Sequence, residues 1–407
     1  MTVPRPAASG RLAPARHRLA GLCIESCMSA KKWAVVALLL GLGGVCAALV
    51  FHYVPLHDFV EYWATAHALV NRQNPYSIET IRKLQQALGW NEEQPLVLMS
   101  PPHFLPFLIP LGFMHSYVLA RLLWLCLSVG MLVVAISTLW SLYGGNPDRR
   151  WIGVSVAALF FPVWHCLAVA QIGPLLLLGV VGFLRFEQRG RLFLAGSSLA
   201  LTTFKPHLFY LVWLALFLWS VKSRDVRVIA GAGVSVCTAI AAALIVDPAA
   251  LSQYRAVITS DYIWGYTSGS GGALRLLLEE NNHLLQFAPT LPGIIALAWY
   301  WRRYRKDWQW RERLPVVLTL SILTAAYGWP FDEVVLLVAV VMIAVQCTGN
   351  AFMRRSALVW LIGNFAASLL VVLRYGDAGG MTVCATGVLT YMIFAARCKN
   401  EGNSVSV

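Results

Sequence analysis

Charge is what this sequence has least of. Only 13% of its 407 residues are Asp, Glu, Lys or Arg, about half the share found in a soluble globular chain, so most of the chain has no polar surface to offer water. Acid is scarcer still, with 19 Asp and Glu against 32 Lys and Arg. The glycine-rich phosphate loop ending in Lys-Ser or Lys-Thr is missing, as are the dinucleotide glycine fingerprint and the Gly-x-Ser-x-Gly elbow. Nucleotide hydrolysis and the usual soluble hydrolase chemistry therefore have no seat. The nine cysteines sit in the tails or in apolar stretches, Cys46, Cys126, Cys166, Cys237, Cys347 and Cys384 among the latter, which leaves neither a disulfide framework nor zinc-ligand spacing. No internal repeat is visible.

What is present is apolar length. Hydrophobic residues make up 58% of the chain and the mean hydropathy is +0.64. They come in blocks of roughly 15 to 25 residues, the pattern of membrane helices rather than the ten-residue alternation of a barrel. The blocks fall near 33–53, 116–142, 151–168, 172–186, 192–204, 206–221, 227–246, 284–301, 314–329, 334–348, 356–373 and 380–396. This is an all-α polytopic membrane protein with about ten to twelve transmembrane helices, not a binder of nucleic acid. Several blocks are short for a bilayer, notably those meeting at Lys205-Pro206 and Trp329-Pro330, where broken or tilted helices are expected.

Positive charge gives the threading. A basic tail, 1–32, precedes the first block, which reads as an uncleaved helix rather than a signal peptide because it is long for one and no small-x-small cleavage site precedes Pro55. Alternating from an inside amino terminus puts 24 of the 32 Lys and Arg and 7 of the 19 Asp and Glu on the cytoplasmic face, about +17, and leaves about −4 outside. One helix more or fewer would invert half of these clusters. Both termini, including a short tail at 397–407, and the run Arg302–Arg313 are thus expected inside, in a bacterial-type inner membrane, around one transmembrane domain, 33–396.

Two outer segments, 54–100 and 248–283, exceed a simple turn, and long loops in compact proteins usually carry function. In the first, Asp58 and Glu61 are three residues apart on a predicted amphipathic, interfacial helix that ends near Asn71-Arg72, so they share a face with Tyr62. Asp58 as a mere helix cap is the plainer alternative. Gln171 and Lys205 sit at outer helix ends between apolar runs. A lysine there marks a functional site unless it snorkels to the interface, and Pro206 beside it frees backbone groups to face a polar cavity. Asp332 and Glu333 follow Trp329-Pro330 at another outer end, and His103, His207, Arg72 and Tyr76 complete the polar inventory. Asp58, Glu61, Asp332 and Glu333 could supply oxygens to a hard divalent ion, yet cations alone also hold phosphate, so the sequence leaves metal use open. A secondary transporter would also have about twelve helices and intramembrane charge, but internal symmetry is absent and the polar residues gather at outer ends rather than at the midplane. A non-catalytic scaffold would make Asp58 and Lys205 dispensable.

Asp58 with Tyr62 and Asn74-Pro75-Tyr76, Ser100-Pro101-Pro102 before Phe107-Leu108-Ile109-Pro110-Leu111, Ala170-Gln171, Leu201-Thr202-Thr203-Phe204-Lys205-Pro206 and Tyr327-Gly328-Trp329-Pro330-Phe331-Asp332 occur in an order that resembles glycosyltransferase family 87. The resemblance spans about 33–350 and rests on order and spacing, since no single motif is specific. Gly173-Pro174 departs from it, standing where a polar continuation after the Gln is common, and so does Phe331-Asp332, where many relatives have a His-containing stretch. The resemblance implies a GT-C-like bundle that moves a sugar, a mannose-like hexose or arabinofuranose, from a polyprenyl-phosphate donor to a glycan or glycolipid acceptor with inversion. It implies no nucleotide sugar and no required cofactor. Asp58 would be the catalytic base and Lys205 the stabiliser of leaving phosphate, with Glu61, Arg72, Tyr76, His103, Gln171, His207 and Asp332 as substrate-binding residues.

Overall fold

The computed structural model describes residues 57–260, 262, 269–375 and 383–395. The expected first span at 33–53 and both tails lie outside the described residues. Within them every regular element is helical. In chain order, α1 (Phe59–Val70) and α2 (Ile78–Gln86) precede a 3-10 turn at Pro102–Phe104 and α3 (Leu105–Gly112). Then come α4 (Tyr117–Leu142), α5 (Arg150–Ala158), α6 (Phe161–Val169), α7 (Gly173–Gln188) and α8 (Leu192–Leu199). Two 3-10 turns, Ala200–Phe204 and Pro206–Phe209, lead to α9 (Tyr210–Ser223), α10 (Arg227–Val246), α11 (Ala250–Ile258), α12 (Gly269–Leu278), α13 (Thr290–Tyr304) and α14 (Trp310–Leu323). A 3-10 segment, Pro330–Leu336, runs into α15 (Leu337–Cys347), followed by α16 (Ala351–Tyr375) and α17 (Val383–Ala395).

Four described stretches are long and apolar enough to cross a membrane alone: Tyr117–Leu142, Arg227–Val246, Pro330–Cys347 and Ala351–Arg374. Pro147–Ala158 and Phe161–Val169, bent by 68° at their junction, make a fifth if they are one broken span. The all-α membrane architecture holds, but fewer helices than the ten to twelve expected would span unaided. The reason is local. The blocks expected at 172–186, 192–204, 206–221, 284–301 and 314–329 form helices of only 8 to 16 residues, several of them started by prolines that stop the preceding turn.

The expected helix after Asp58 forms, but as a core element rather than an amphipathic one. Phe59, Val60, Tyr62, Trp63, Ala64, Ala66, Ala68 and Leu69 are all buried, because Glu61 and His67 are the only strongly polar side chains in FVEYWATAHALV and a helix apolar all round must be packed all round. The amphipathic element is α2. Ser77 caps it by accepting from the Thr80 N–H at 3.3 Å, Ile81 and Gln85 face in, and a Glu79–Lys83 pair lies on its exposed face at 2.7 Å. Elsewhere the bundle closes through small residues. A Cβ on Gly196 would lie 1.8 Å from the Val228 carbonyl oxygen, and one on Gly231 would lie 2.0 Å from that of Phe193, so α8 and α10 cross nearly backbone to backbone.

Candidate active site

Three breaks in the helices deliver the three polar residues that the apolar runs had isolated. The α6 helix ends at Ala170, whose φ of +58° turns the chain in the left-handed region, and Gln171 follows before Pro174 opens α7. Lys205, at φ −134° and ψ 69°, sits between two 3-10 turns, the second begun by Pro206. Trp329, extended at φ −121° and ψ 156°, precedes Pro330, and Asp332 lies one turn on. A residue just before proline is disfavoured in the helical region, which accounts for the breaks at Lys205 and Trp329, whereas the break before Gln171 is made by the left-handed Ala170; each leaves a polar side chain free to turn inward.

The fold brings the three together with Asp58. Gln171 Nε2 donates to Asp58 Oδ2 at 2.7 Å, while Gln171 Oε1 accepts from the Tyr62 hydroxyl at 2.7 Å and from Lys205 Nζ at 3.0 Å. Lys205 Nζ also donates to Asp332 Oδ1 at 2.6 Å, and Asp332 Oδ2 accepts from the Trp329 N–H at 3.1 Å. The result is a continuous chain from Asp58 through Gln171 and Lys205 to Asp332. It uses partners 34 to 127 residues apart. Lys205 thus has a carboxylate partner, which its sequence neighbours did not suggest. An ammonium has three N–H donors; two are taken within this chain.

These groups line a cavity of about 800 Å³, together with His57, Glu61 and His207. The rest of its wall combines aromatic and apolar side chains, including Trp90, Phe204, Tyr254, Phe287, Tyr327, Trp329 and Phe331, with the polar Asn91, Glu92, Ser100 and Gln286. His207 stacks on Tyr327 with ring centroids 3.8 Å apart. Of the expected site residues, Asp58, Glu61, Gln171, Lys205, His207 and Asp332 meet here, and three do not line the cavity. Arg72 is exposed at the end of α1 with φ +56°. Tyr76 is buried, donating its hydroxyl to the Ser100 carbonyl at 3.2 Å. His103 lies behind the wall, its Nε2 2.8 Å from the Thr203 hydroxyl and its ring against Phe204.

Electrostatics divide the two carboxyls of the first helix turn. Burial pushes Asp58 up, but the hydrogen bond and charge of His57, whose Nδ1 is 2.8 Å from Oδ1, the Gln171 amide and the Lys205 charge outweigh it, holding the carboxyl below the usual range. Burial and then the Asp58 charge lift Glu61 well above that range. The two environments thus push the carboxyls apart in proton affinity, favouring the ionised form of Asp58 and the protonated form of Glu61. Among the described residues no group of three His, Cys, Asp or Glu side chains is arranged to hold a metal ion.

Several groups were not singled out by the sequence. His57, adjacent to Asp58, could have been; Trp90, Tyr254 and Phe287 look like ordinary loop aromatics until the fold collects them. Glu333 turns away from Asp332, fully buried, with its Oε1 accepting from the Ala385 N–H at 3.3 Å. Arg121, the one charged residue in α4, is buried and donates to the Ala168 carbonyl at 3.1 Å, securing the end of α6 from which Gln171 projects. Gly173 explains one departure from the family pattern. A Cβ there would lie 2.4 Å from a Val334 methyl and 2.9 Å from Cys166 Sγ, so a larger residue would wedge Gln171 away from the segment carrying Asp332.

The sequence model of Glycosyltransferase family 87 matches residues 98–326, more than half of the chain. The match includes Gln171 and Lys205; Asp58 and Asp332 lie to either side of it. No curated protein and no solved structure matches the chain.

Proposed function

This chain belongs to glycosyltransferase family 87, and on that premise we propose that it transfers a mannose-like hexose or arabinofuranose from a polyprenyl-phosphate donor to a glycan or glycolipid acceptor on the outer face of a bacterial-type inner membrane. The observation that carries the reading is the hydrogen-bonded chain Asp58–Gln171–Lys205–Asp332 on the wall of a large cavity that also holds several aromatic side chains. It sets a proton acceptor and a cation a fixed distance apart, which is what displacement at an anomeric carbon needs.

In the reaction the acceptor hydroxyl attacks the anomeric carbon, the bond from that carbon to the donor phosphate oxygen breaks, and the hydroxyl proton passes to Asp58. Charge then grows on the departing lipid phosphate. Lys205 meets it with the N–H that Asp332 and Gln171 leave unused, in a site poor in water where an aligned cation is most effective. Asp332 aims the lysine, accepting from its Nζ at 2.6 Å. Trp329, Tyr327 and Phe331 offer flat faces to the sugar and the first lipid units. Purified protein in nanodiscs, given a polyprenyl-phosphate sugar and a glycan acceptor, is expected to form a glycosidic product and free lipid phosphate. Movement of the lipid-linked sugar with no new glycosidic bond would identify a transporter instead.

A further inference from the structure

Resting on that reading, we infer that Gln171 is a positioning residue whose amide holds the proton acceptor and the phosphate-facing cation in one fixed polarity. An amide can usually be turned over without changing its outline, but here its neighbours decide. Lys205 Nζ can only donate, so the atom facing it at 3.0 Å is the oxygen. The nitrogen must then face Asp58, which as a carboxylate can only accept. Tyr62 completes the set by donating to the same oxygen. Turning the amide over would set its N–H groups against an ammonium and its oxygen against a carboxylate.

The side chain has little freedom to do otherwise. Gln171 is 5% exposed, its N–H donates to the Cys166 carbonyl at 3.1 Å, and Ala170 before it is fixed in the left-handed turn. The residue type is as constrained as the pose. Asparagine is one methylene too short to reach Asp58, Tyr62 and Lys205 from the same backbone position. Glutamate has the reach but sets a second carboxylate against Asp58, and like-charged carboxyls in contact share a proton. The other titratable groups facing this pair are His57 just before α1, Glu61 and Tyr62 from its first turn, Tyr117 from α4, Cys166 from α6, Lys205, and Asp332 from the last break.

The experiment compares wild type, Gln171→Glu and Gln171→Asn as full-length proteins in nanodiscs, reading kcat and donor KM across pH with a polyprenyl-phosphate sugar. In Gln171→Glu the acid limb of kcat is expected to move up by at least one pH unit, with turnover regained as the pH rises. In Gln171→Asn, kcat falls about tenfold to a hundredfold, the range of a misplaced catalytic group, while the limb rises less than in Gln171→Glu, because Asp58 loses one hydrogen bond but gains no like charge. A Gln171→Glu limb at the wild-type position, or Gln171→Asn with wild-type kcat, would overturn the inference, even if either variant were less heat-stable. A second readout does not depend on turnover. A hydrophobic carbodiimide modifies protonated carboxyls, and peptide mass spectrometry at pH 7 should find the adduct on Glu61 and not on Asp58 in wild type. Gln171→Glu should add an adduct at position 58 or 171, and its absence there would count against the shared proton. Absence of product from the wild type would sink the donor reading alone, leaving the labelling to decide this one.

Discussion

Asp58 and Glu61 share a helix turn, a cavity and a chemical type, yet only one is set up to take a proton. Asp58→Asn keeps the shape and the contacts to His57 and Gln171 but cannot accept the hydroxyl proton, so turnover should drop by about two to four orders of magnitude with the protein still folded and inserted. Glu61→Gln replaces a carboxyl whose protonated form is favoured by burial and by the Asp58 charge and should be milder; parallel kcat measurements with a defined lipid donor check both. The pH dependence follows with its sign. Because Asp58 lies below the ordinary aspartate value of 3.8, its ionised form persists as the pH falls through that value and is lost only beneath it. Wild-type kcat should therefore be flat from neutrality down to about pH 5, and a loss of turnover with a midpoint near 6 would mean that another group is the base. The sequence made Asp58, Glu61, Gln171, Lys205, His207 and Asp332 legible as polar residues stranded among apolar ones. It could not reveal who pairs with whom, because the bonds Asp58–Gln171, Tyr62–Gln171, Gln171–Lys205 and Lys205–Asp332 all join segments far apart in the chain. Arg72, Tyr76 and His103 were legible by the same rule but lie off the cavity wall; polarity at a helix end marks a candidate and does not aim it.

The site is made by helix ends. Proline supplies them: Pro174, Pro206 and Pro330 each stand within the first turn of a helix, so the break points could be read directly, while the shortness of the intervening helices could not be separated from continuous spans by hydropathy alone. Two predictions belong here. Lys205→Met removes the cation and leaves Asp332, only 1% exposed, without its ionic partner, which typically costs about 3 to 5 kcal/mol. Adding Asp332→Asn should return most of the lost thermal stability but not the donor binding or the turnover. If the double variant recovered activity as well, Lys205 would be a structural lysine. Gly196→Ala tests the frame rather than the site. The new methyl would overlap the Val228 carbonyl on the neighbouring backbone, so α8 must move off α10. A loss of about 1 to 3 kcal/mol is expected, seen as a lower melting temperature in detergent with near-normal donor KM below it. Unchanged melting would mean that the crossing is looser than these distances imply.

At the scale of the molecule, the two ends of the bundle are chemically distinct. Asp58, Gln171, Lys205, Asp332 and Tyr254, all threaded to the outside by the charge pattern, share one cavity. The ends threaded to the inside also meet: Leu142 at the close of α4, Glu187 and Gln188 at the close of α7, and Trp308 to Arg311 before α14 line a second cavity of about 320 Å³, where Arg311 donates to the Leu142 carbonyl at 3.3 Å. Helices counted with the wrong parity would have mixed the two sets. This grouping supports the relative threading even where α7, α8, α9 and α14 are too short to have been secure spans. Which end faces the cytoplasm rests on charge alone, since basic loops resist translocation and the run Arg302–Arg313 holds six Lys and Arg. The test uses single cysteines introduced at Arg305 and at Glu92, in a background where Cys126 and Cys237, the exposed thiols of the described helices, are replaced by serine. In sealed cells a membrane-impermeant maleimide should label position 92 and spare position 305 until the membrane is opened. Labelling of position 305 in intact cells would turn the protein over and put the cavity, with Asp58 and the donor it is proposed to use, on the cytoplasmic side.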